Sequence, residues 1–500
     1  MSPHPRAKTI MRSRARWALV CASLATTPCL RTACAQGDIE RRVESRLRRA
    51  DTARQLDVQQ TLSLSERTNV DIGGFYNFTF LTLQDSQGNS RGLIQNDTTL
   101  FARASIDGVH TFFGRLRFRH QDFTPGDSFD GRGDQWREPI LDRYWYELNA
   151  RDLFASARAD SAAEQTGSGL DFNLRLGRQF VDWGSGLALS EVLLAARATL
   201  VVGDRLTIEG LAGVTPPDES IIDFDTSRAA YNRDTKRGFF GALVRGQTNW
   251  GNVYGSILWS VDYNNDSEPR LPIGPVEFDY SPVYIGLGLN ASLSNNWLLE
   301  TEVVFEGGHS KSDPLRGLQT SESIRALAAR GELTYLLRDA RQSRAQIEVL
   351  FATGDSDRLT PSDTVGGNLS GSDDNGFNSL GFANTGLAFG TTFSNLMAVR
   401  GGVSTFPLRA HRALSQLQVG ADVFVFGKLD SGAPIDEPTR AGRSFLGVET
   451  DLYVNYRVTS DLGINLRYGA FFPGSAIGDG AGDGERDTRH FFLIGVTLAF

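Results

Sequence analysis

The 500-residue chain has a mean hydropathy of −0.25, 53 glycines and a formal charge of −8. Beyond the first few dozen residues no stretch approaches the ~18 consecutive apolar residues that a membrane-crossing helix needs, so a helical membrane protein is excluded, whereas a barrel of half-polar strands is not. The acidic balance argues against nucleic acid as a partner, because phosphate binding needs a basic footprint.

Residues 1–35 read as a signal peptide. Arg6, Lys8, Arg12, Arg14 and Arg16 form a basic region, Trp17 to Leu30 an apolar stretch, and Ala33-Cys34-Ala35 a small-x-small cleavage site that leaves Gln36 first in the mature chain. Lipidation of Cys34 is the alternative, but Arg31 stands three residues before it, where a small or apolar residue is expected. All three cysteines (Cys21, Cys29, Cys34) lie in this segment, so the mature chain must hold together in an oxidising compartment without disulfides. The segment also takes six of the 51 basic residues and no acid, leaving 45 basic against 59 acidic, or −14. Residues 36–68 form a periplasmic N-terminal segment of helix-like pattern. Ile39, Val43 and Leu47 recur every four residues among Arg and Glu, a stripe too thin for a core of its own.

From residue 69 to 500 the period is two. Leu100, Ala102, Ala104 and Ile106 alternate with polar neighbours such as Thr99 and Arg103; Leu417 to Val425 alternate with Gln418 and Asp422; Leu446 to Tyr456 alternate with Glu449, Asp451 and Asn455. A soluble sandwich shows the same alternation, so other features decide. Connections alternate between tight turns (Asp107-Gly108, Gly203-Asp204, Ser294-Asn295-Asn296, Val458 to Asp461) and long Gly/Asp/Ser-rich stretches at 121–138, 215–236, 264–278, 354–388, 427–443 and 474–488. That is the short-periplasmic-turn, long-extracellular-loop pattern of outer-membrane barrels. Aromatics cluster near strand ends, as in Tyr144-Trp145-Tyr146 and Phe471-Phe472, where an interfacial girdle would sit. The last strand puts Phe492, Ile494, Val496, Leu498 and Phe500 on one face. It resembles the Phe-ended final strand that the barrel insertion machinery is thought to read.

The expected fold is therefore all-β: a single closed antiparallel transmembrane barrel of about 18 strands in the bacterial outer membrane, in contact with its lipid. The strands centre near 76, 100, 115, 145, 175, 199, 210, 243, 258, 286, 302, 330, 349, 400, 421, 451, 466 and 495. The one near 199 has a rival reading, a short helix over 186–195 folded into the lumen.

Several stretches resemble the alginate-export family: Arg143-Tyr144-Trp145-Tyr146-Glu147-Leu148; Leu176-Gly177-Arg178-Gln179 followed by Trp183-Gly184-Ser185-Gly186; Thr353-Gly354-Asp355; Gly447-Val448-Glu449-Thr450-Asp451-Leu452; and Phe471-Phe472-Pro473-Gly474. The resemblance spans about residues 140 to 500. It implies a monomeric pore lined by charged side chains that passes an anionic polysaccharide outward.

Strand parity supplies candidate pore-lining residues. If Leu116 and Phe118 face lipid, Arg115, Arg117 and Arg119 face the lumen, and the same parity sends Arg103, Arg143, Arg175, Arg245, Arg330, Arg400 and Arg467 inward. Arg178 shares parity with Leu176 and Phe180, so a bulge at Gly177 is needed to turn it inward. Guanidinium forks bind carboxylates, so arginines from separate strands would make a track for uronates or a small anionic solute. Acids share the inward parity, among them Asp97, Glu147, Asp171, Glu300, Glu302, Glu332, Glu348, Asp422, Glu449 and Asp451. Two readings stay open: basic and acidic walls facing each other across the lumen, or neighbour-to-neighbour neutralisation leaving a salt-bridged wall without strong selectivity. The corresponding functions are an anionic-polysaccharide exit channel and a general or nutrient-uptake porin.

Enzymatic readings fare poorly. His110, His120, His309, His411 and His490 are dispersed near strand ends or turns, with no Ser or Asp partner evident, and no cofactor is expected. No metal site is expected either, apart from weak Ca²⁺ candidates in loop aspartates, Asp127, Asp130 and Asp134, or Asp355, Asp357, Asp373 and Asp374.

Overall fold

The computed structural model describes residues 69–84, 89–124, 135–150, 170–217, 223–229, 231, 235–264, 267–270, 274–478 and 487–500. The signal peptide, the segment 36–68 and Asp127, Asp130 and Asp134 lie outside the described residues. The first strands are β1 (Asn69–Gln84), β2 (Ser90–Ile106), β3 (His110–Phe123), β4 (Gln135–Asn149), β5 (Leu170–Trp183) and β6 (Leu189–Val202). Then come β7 (Leu206–Val214), β8 (Arg237–Gln247), β9 (Gly251–Asp262) and a two-stranded loop hairpin, β10 (Ser267–Arg270) with β11 (Gly274–Glu277). The series continues with β12 (Tyr280–Ser292), β13 (Trp297–Lys311), β14 (Ser321–Leu336), β15 (Arg344–Ala352) and β16 (Leu396–Thr405). It ends with β17 (Leu417–Gly427), β18 (Phe445–Arg457), β19 (Leu462–Pro473) and β20 (Arg489–Ala499).

Every strand except the hairpin pairs antiparallel with its sequence neighbours, giving one 18-stranded sheet. It closes where β1 meets β20, from Phe75↔Ala499 to Leu83↔Phe491. Phe500 extends this seam, its N–H donating to the Gly74 carbonyl (2.9 Å) and its carbonyl accepting from the Gly74 N–H (2.8 Å). Closure leaves no unpaired edge, which a bilayer requires of any spanning sheet. Each of the eighteen expected centres falls inside a barrel strand.

The apolar parity faces outward. Leu100, Leu176, Ile257, Ile285, Leu287, Val349, Val399, Val423, Leu452, Phe492 and Leu498 stand exposed on the outer surface, as lipid-facing side chains must. The expected girdle is split by the same alternation. Tyr144 and Phe472 are exposed outside, and Tyr146 shares the outward parity, whereas Trp145 and Phe471 point inward. Leu446 also departs from expectation, being fully buried with the core: Gly447, at φ +147°, breaks the alternation ahead of it. The 186–195 helix does not form, since β6 starts at Leu189 and pairs with β5 in unbroken register.

The two halves of the lumen differ. Along β14 the inner side chains nearest the long loops are buried, while those nearest the short turns are half-exposed. The filling comes from the long connection 353–395. Its Phe377, Leu380 and Phe389 join Leu187, Phe224, Ile435 and Ile477 in one cluster with the inner faces of the strands, including Trp183, Leu193, Leu258, Tyr284, Val304, Phe426 and Phe471. This explains why β5 and β6 lose their polar alternation at that end: their inner faces meet packed protein instead of water.

Candidate functional site

The inner face of β2–β5 carries Arg103, Arg115, Arg117, Arg119, Arg143 and Arg175. Arg115 and Arg143 are directly opposed across β3 and β4, a like-charge pair that a regular ladder would tolerate poorly. A register shift beside Arg115 resolves it, turning Asp142 inward. Asp142 accepts from Arg115 Nε at 2.8 Å and from its Nη2 at 2.5 Å. Strict parity hides Asp142, which the sequence reading missed. Asp97 likewise takes Arg117 in a forked pair, with Nε at 2.9 Å, and Arg119 at 3.4 Å. Glu147 accepts from Arg175 Nε at 2.6 Å. Arg178 is only 7% exposed, but its register partners Tyr144 and Leu194 are exposed on the outer surface, so the ladder keeps it in the outward row of β5 instead of turning it into the lumen. Gly177 takes φ +131°, and a Cβ there would come within 2.3 Å of the Tyr144 carbonyl. Among the described side chains these arginines outnumber the inward acids beside them, Asp97, Asp142, Glu147 and Asp171.

Eight steps along the 18-strand ladder from β3 lies β13. Glu300 of β13, Glu332 of β14 and Glu348 of β15 sit in one register row. Arg330 bridges Glu348 (2.6 Å) and Glu332 (2.9 Å), and Arg400 bridges Glu348 (2.9 Å) and Glu332 (3.2 Å). Neighbouring strands thus pair their charges on both sides of the barrel. Between them Glu209, which the sequence reading missed, pairs with Arg197 and lies 3.6 Å from Arg245. Arg467 lies over the Tyr453 ring, 5.0 Å from its centroid, on the β18–β19 wall that also carries Asp451.

The remaining acids hold the inserted loops. Glu302 accepts from the Ser185 N–H (3.1 Å) and hydroxyl. Glu306, two pleat repeats further along β13, accepts from the Tyr280 hydroxyl (2.7 Å) and the Asn378 N–H (2.9 Å). Glu449, fully buried, receives three consecutive backbone N–H groups from Leu387, Ala388 and Phe389. Leu380 forms a bridge with Leu189 of β6, whereas Leu387 and Ala388 pack on Leu81, Leu83 and Phe491. Connection 353–395 thus crosses the lumen from the β6 side to the β18, β20 and β1 side.

Connection 353–395 is also locked to loop 215–236. Asp225 accepts from the Thr364 hydroxyl (2.6 Å) and Asp363 from the Thr226 N–H and hydroxyl (2.9 Å each). Burial and the facing Asp225 carboxylate push Asp363 up to about 7. Burial also drives Asp225 up, while at Asp223 the Arg237 and Arg228 guanidiniums outweigh burial and hold the carboxyl below its ordinary range. Of the other loop aspartates, Asp374 is paired with Arg358 (2.6 Å), Asp373 with Arg325 (2.8 Å), and Asp355 accepts from the Asp357 and Asn375 N–H groups. His110 and His490 bond to Tyr146 and Tyr468, and His309 to Asp279.

A family model described as alginate export matches residues 228–490, more than half of the chain. The chain belongs to the alginate-export family. It is an outer-membrane β-barrel channel. The matched residues run from the entry of β8 into β20, so the arginine-rich wall of β2–β5 lies outside them. Among solved structures, the barrel of this alginate-export family member is similar to Acinetobacter baumannii OccAB1, at 11% identity and TM-score 0.53, covering 88% of this chain and 99% of that one. It is also similar to Pseudomonas aeruginosa OccK8 (OprE), at 11% identity and TM-score 0.51, covering 86% and 98%. These likenesses concern the fold alone. A comparison with curated proteins finds no match.

Proposed function

We propose that this channel passes an anionic polysaccharide, or a related anionic solute, by passive diffusion as a monomer. The observation that carries the reading is the clustering of inward arginines on β2–β4. Arg115, Arg117, Arg119 and Arg143 are stacked on adjacent strands, with Asp142 on Arg115 and Asp97 on Arg117 and Arg119. Such a wall concentrates carboxylates, and guanidinium forks exchange one carboxylate for the next without holding any permanently. Arg103, Arg175 and Arg467 extend the positive charge toward the short-turn mouth, while Glu300, Glu302, Glu449 and Asp451 supply the opposing wall or the loop anchors.

The neighbour-to-neighbour ion pairs favour a second reading, a general or nutrient-uptake porin. The filled outer half of the lumen narrows the passage on either reading. Reversal potentials in planar bilayers under a KCl gradient separate them. The proposal expects anion preference, reduced or reversed by Arg117→Glu, and current block by oligouronates. A cation preference indifferent to oligouronates would sink it.

A further inference from the structure

Phe101 of β2, Phe113 of β3 and Trp145 of β4 share the inner face of three consecutive strands, with Phe113 and Trp145 in direct register. Their ring planes are nearly parallel, at 24° with centroids 6.4 Å apart for Phe101–Phe113 and 18° with 5.2 Å for Phe113–Trp145. The Arg175 guanidinium continues the row over Trp145, 4.4 Å from its centroid. Glycines bound the row. A Cβ on Gly73 would reach 2.8 Å from the Phe101 ring, and one on Gly177 would reach 2.8 Å from the Trp145 backbone. The rings lie within a few residues of the short turn 107–109 and are half-exposed, in the part of the lumen that the loops leave unfilled. The same pairing recurs near that mouth on β18–β19, where Arg467 covers Tyr453 and Gly420 leaves the ring its space.

An aromatic ring on the lipid face gains about 25 cal/mol for each Å² it removes from water, and one half-exposed in an aqueous lumen forfeits much of that. Apolar surface retained at such a place marks a contact surface. Its chemistry is specific: flat ring carbons beside a guanidinium, with the Glu147 carboxylate as a neighbouring acceptor. The apolar C–H face of a pyranose matches the rings, its ring carboxylate matches Arg175, and its hydroxyls can donate to Glu147. A small carboxylate or a flexible polypeptide polyanion has no such face.

We infer that Phe101, Phe113, Trp145 and Arg175 form a docking strip for the pyranose rings of an acidic polysaccharide at the periplasmic mouth. The strip rests on the anion-channel reading and narrows it from anions in general to acidic sugar chains. Single-channel block by two probes of equal charge, hexameric oligoguluronate and hexameric polyglutamate added from the periplasmic side, tests it with the full-length protein. The sugar is expected to reside about tenfold longer than the peptide, as one aromatic contact surface would provide. Trp145→Leu and, separately, Phe113→Leu should bring the ratio close to one, while Trp297→Leu on the outer face should leave it as it was. Using two single aliphatic replacements keeps the test open if one fails to assemble. A wild-type ratio near one, or an unchanged ratio in both variants, overturns the strip while block by both probes preserves the anion reading. Cation preference with no block by either probe removes both.

Discussion

Replacing Glu449 with Gln should release the connection that crosses the lumen without disturbing the barrel. The carboxylate is fully buried and accepts the N–H groups of Leu387 and Ala388 on Oε1 and of Phe389 on Oε2, the last at 2.8 Å. Gln preserves shape and one acceptor oxygen, but its amide NH₂ then confronts a donor. The loss is one charge-assisted hydrogen bond, about 1.5–3 kcal/mol, plus about 1–3 kcal/mol for an N–H left buried and unpaired. Even about 3 kcal/mol multiplies the released population roughly a hundredfold. Gly386 offers an internal check: its φ is +88° and an added Cβ would lie 2.4 Å from the same carboxylate, so Gly386→Ala should act in the same direction. Single-channel recordings should show higher mean conductance and more frequent flicker, and limited proteolysis should cut within 380–390. The β-ladder is backbone-paired, so the heat-modifiable shift of the barrel on gels should persist. Unchanged conductance, noise and protease resistance in E449Q would refute the anchoring role.

Other perturbations have equally definite outcomes. Asp363, raised to about 7 by burial and by Asp225, with Arg358 opposing, stays protonated in the folded loops while an unfolded loop, near 3.8, has already lost its proton. The contact between 215–236 and 353–395 should therefore weaken as pH rises from about 4 to about 7. Hydrogen exchange at 360–366, corrected for intrinsic rate, should show less protection at pH 8 than at pH 5, and Asp363→Asn should flatten the difference. Asp142→Ala removes the buried carboxylate that holds Arg115 in a forked pair beside Arg143 and should cost about 3–5 kcal/mol. The urea midpoint of the gel shift should fall, and Arg115→Ala added to it should restore much of the loss. Deleting Phe500 removes the reciprocal 2.8 and 2.9 Å bonds to Gly74 at the closing seam. The fraction of chains reaching the folded, heat-modifiable form should drop when expressed in cells.

Strand number, closure and outward face were legible because one physical rule, apolar toward lipid and polar toward the lumen, repeats along nearly every strand. Arg115, Arg117 and Arg119 could be aimed inward from Leu116 and Phe118 alone. Asp142 could not, because a bulge exists only in the pairing of two strands. Whether the long connection enters the lumen was open in the sequence for another reason. Its Gly, Asn, Ser and Asp content reads as solvated loop, although Phe377, Leu380, Phe382, Phe389 and Phe393 punctuate it at short intervals, more apolar surface than an exposed loop keeps. Glu302 and Glu449 looked like lumenal charge because parity reports direction, not partner. Trp145 was read as part of a girdle from its neighbours Tyr144 and Tyr146, and alternation puts it on the other side of the wall.

The unequal filling of the lumen among the described residues predicts that current through the molecule rectifies. A conduit that is packed toward one mouth, and charged and wet toward the other, offers different access resistance to ions arriving from its two ends. Counter-ions drawn in through the wide, arginine-bearing mouth accumulate ahead of the narrow half under one polarity and are swept out under the other. The current–voltage curve of a single inserted molecule is therefore asymmetric, and the sign of that asymmetry reports which way round it sits in the bilayer.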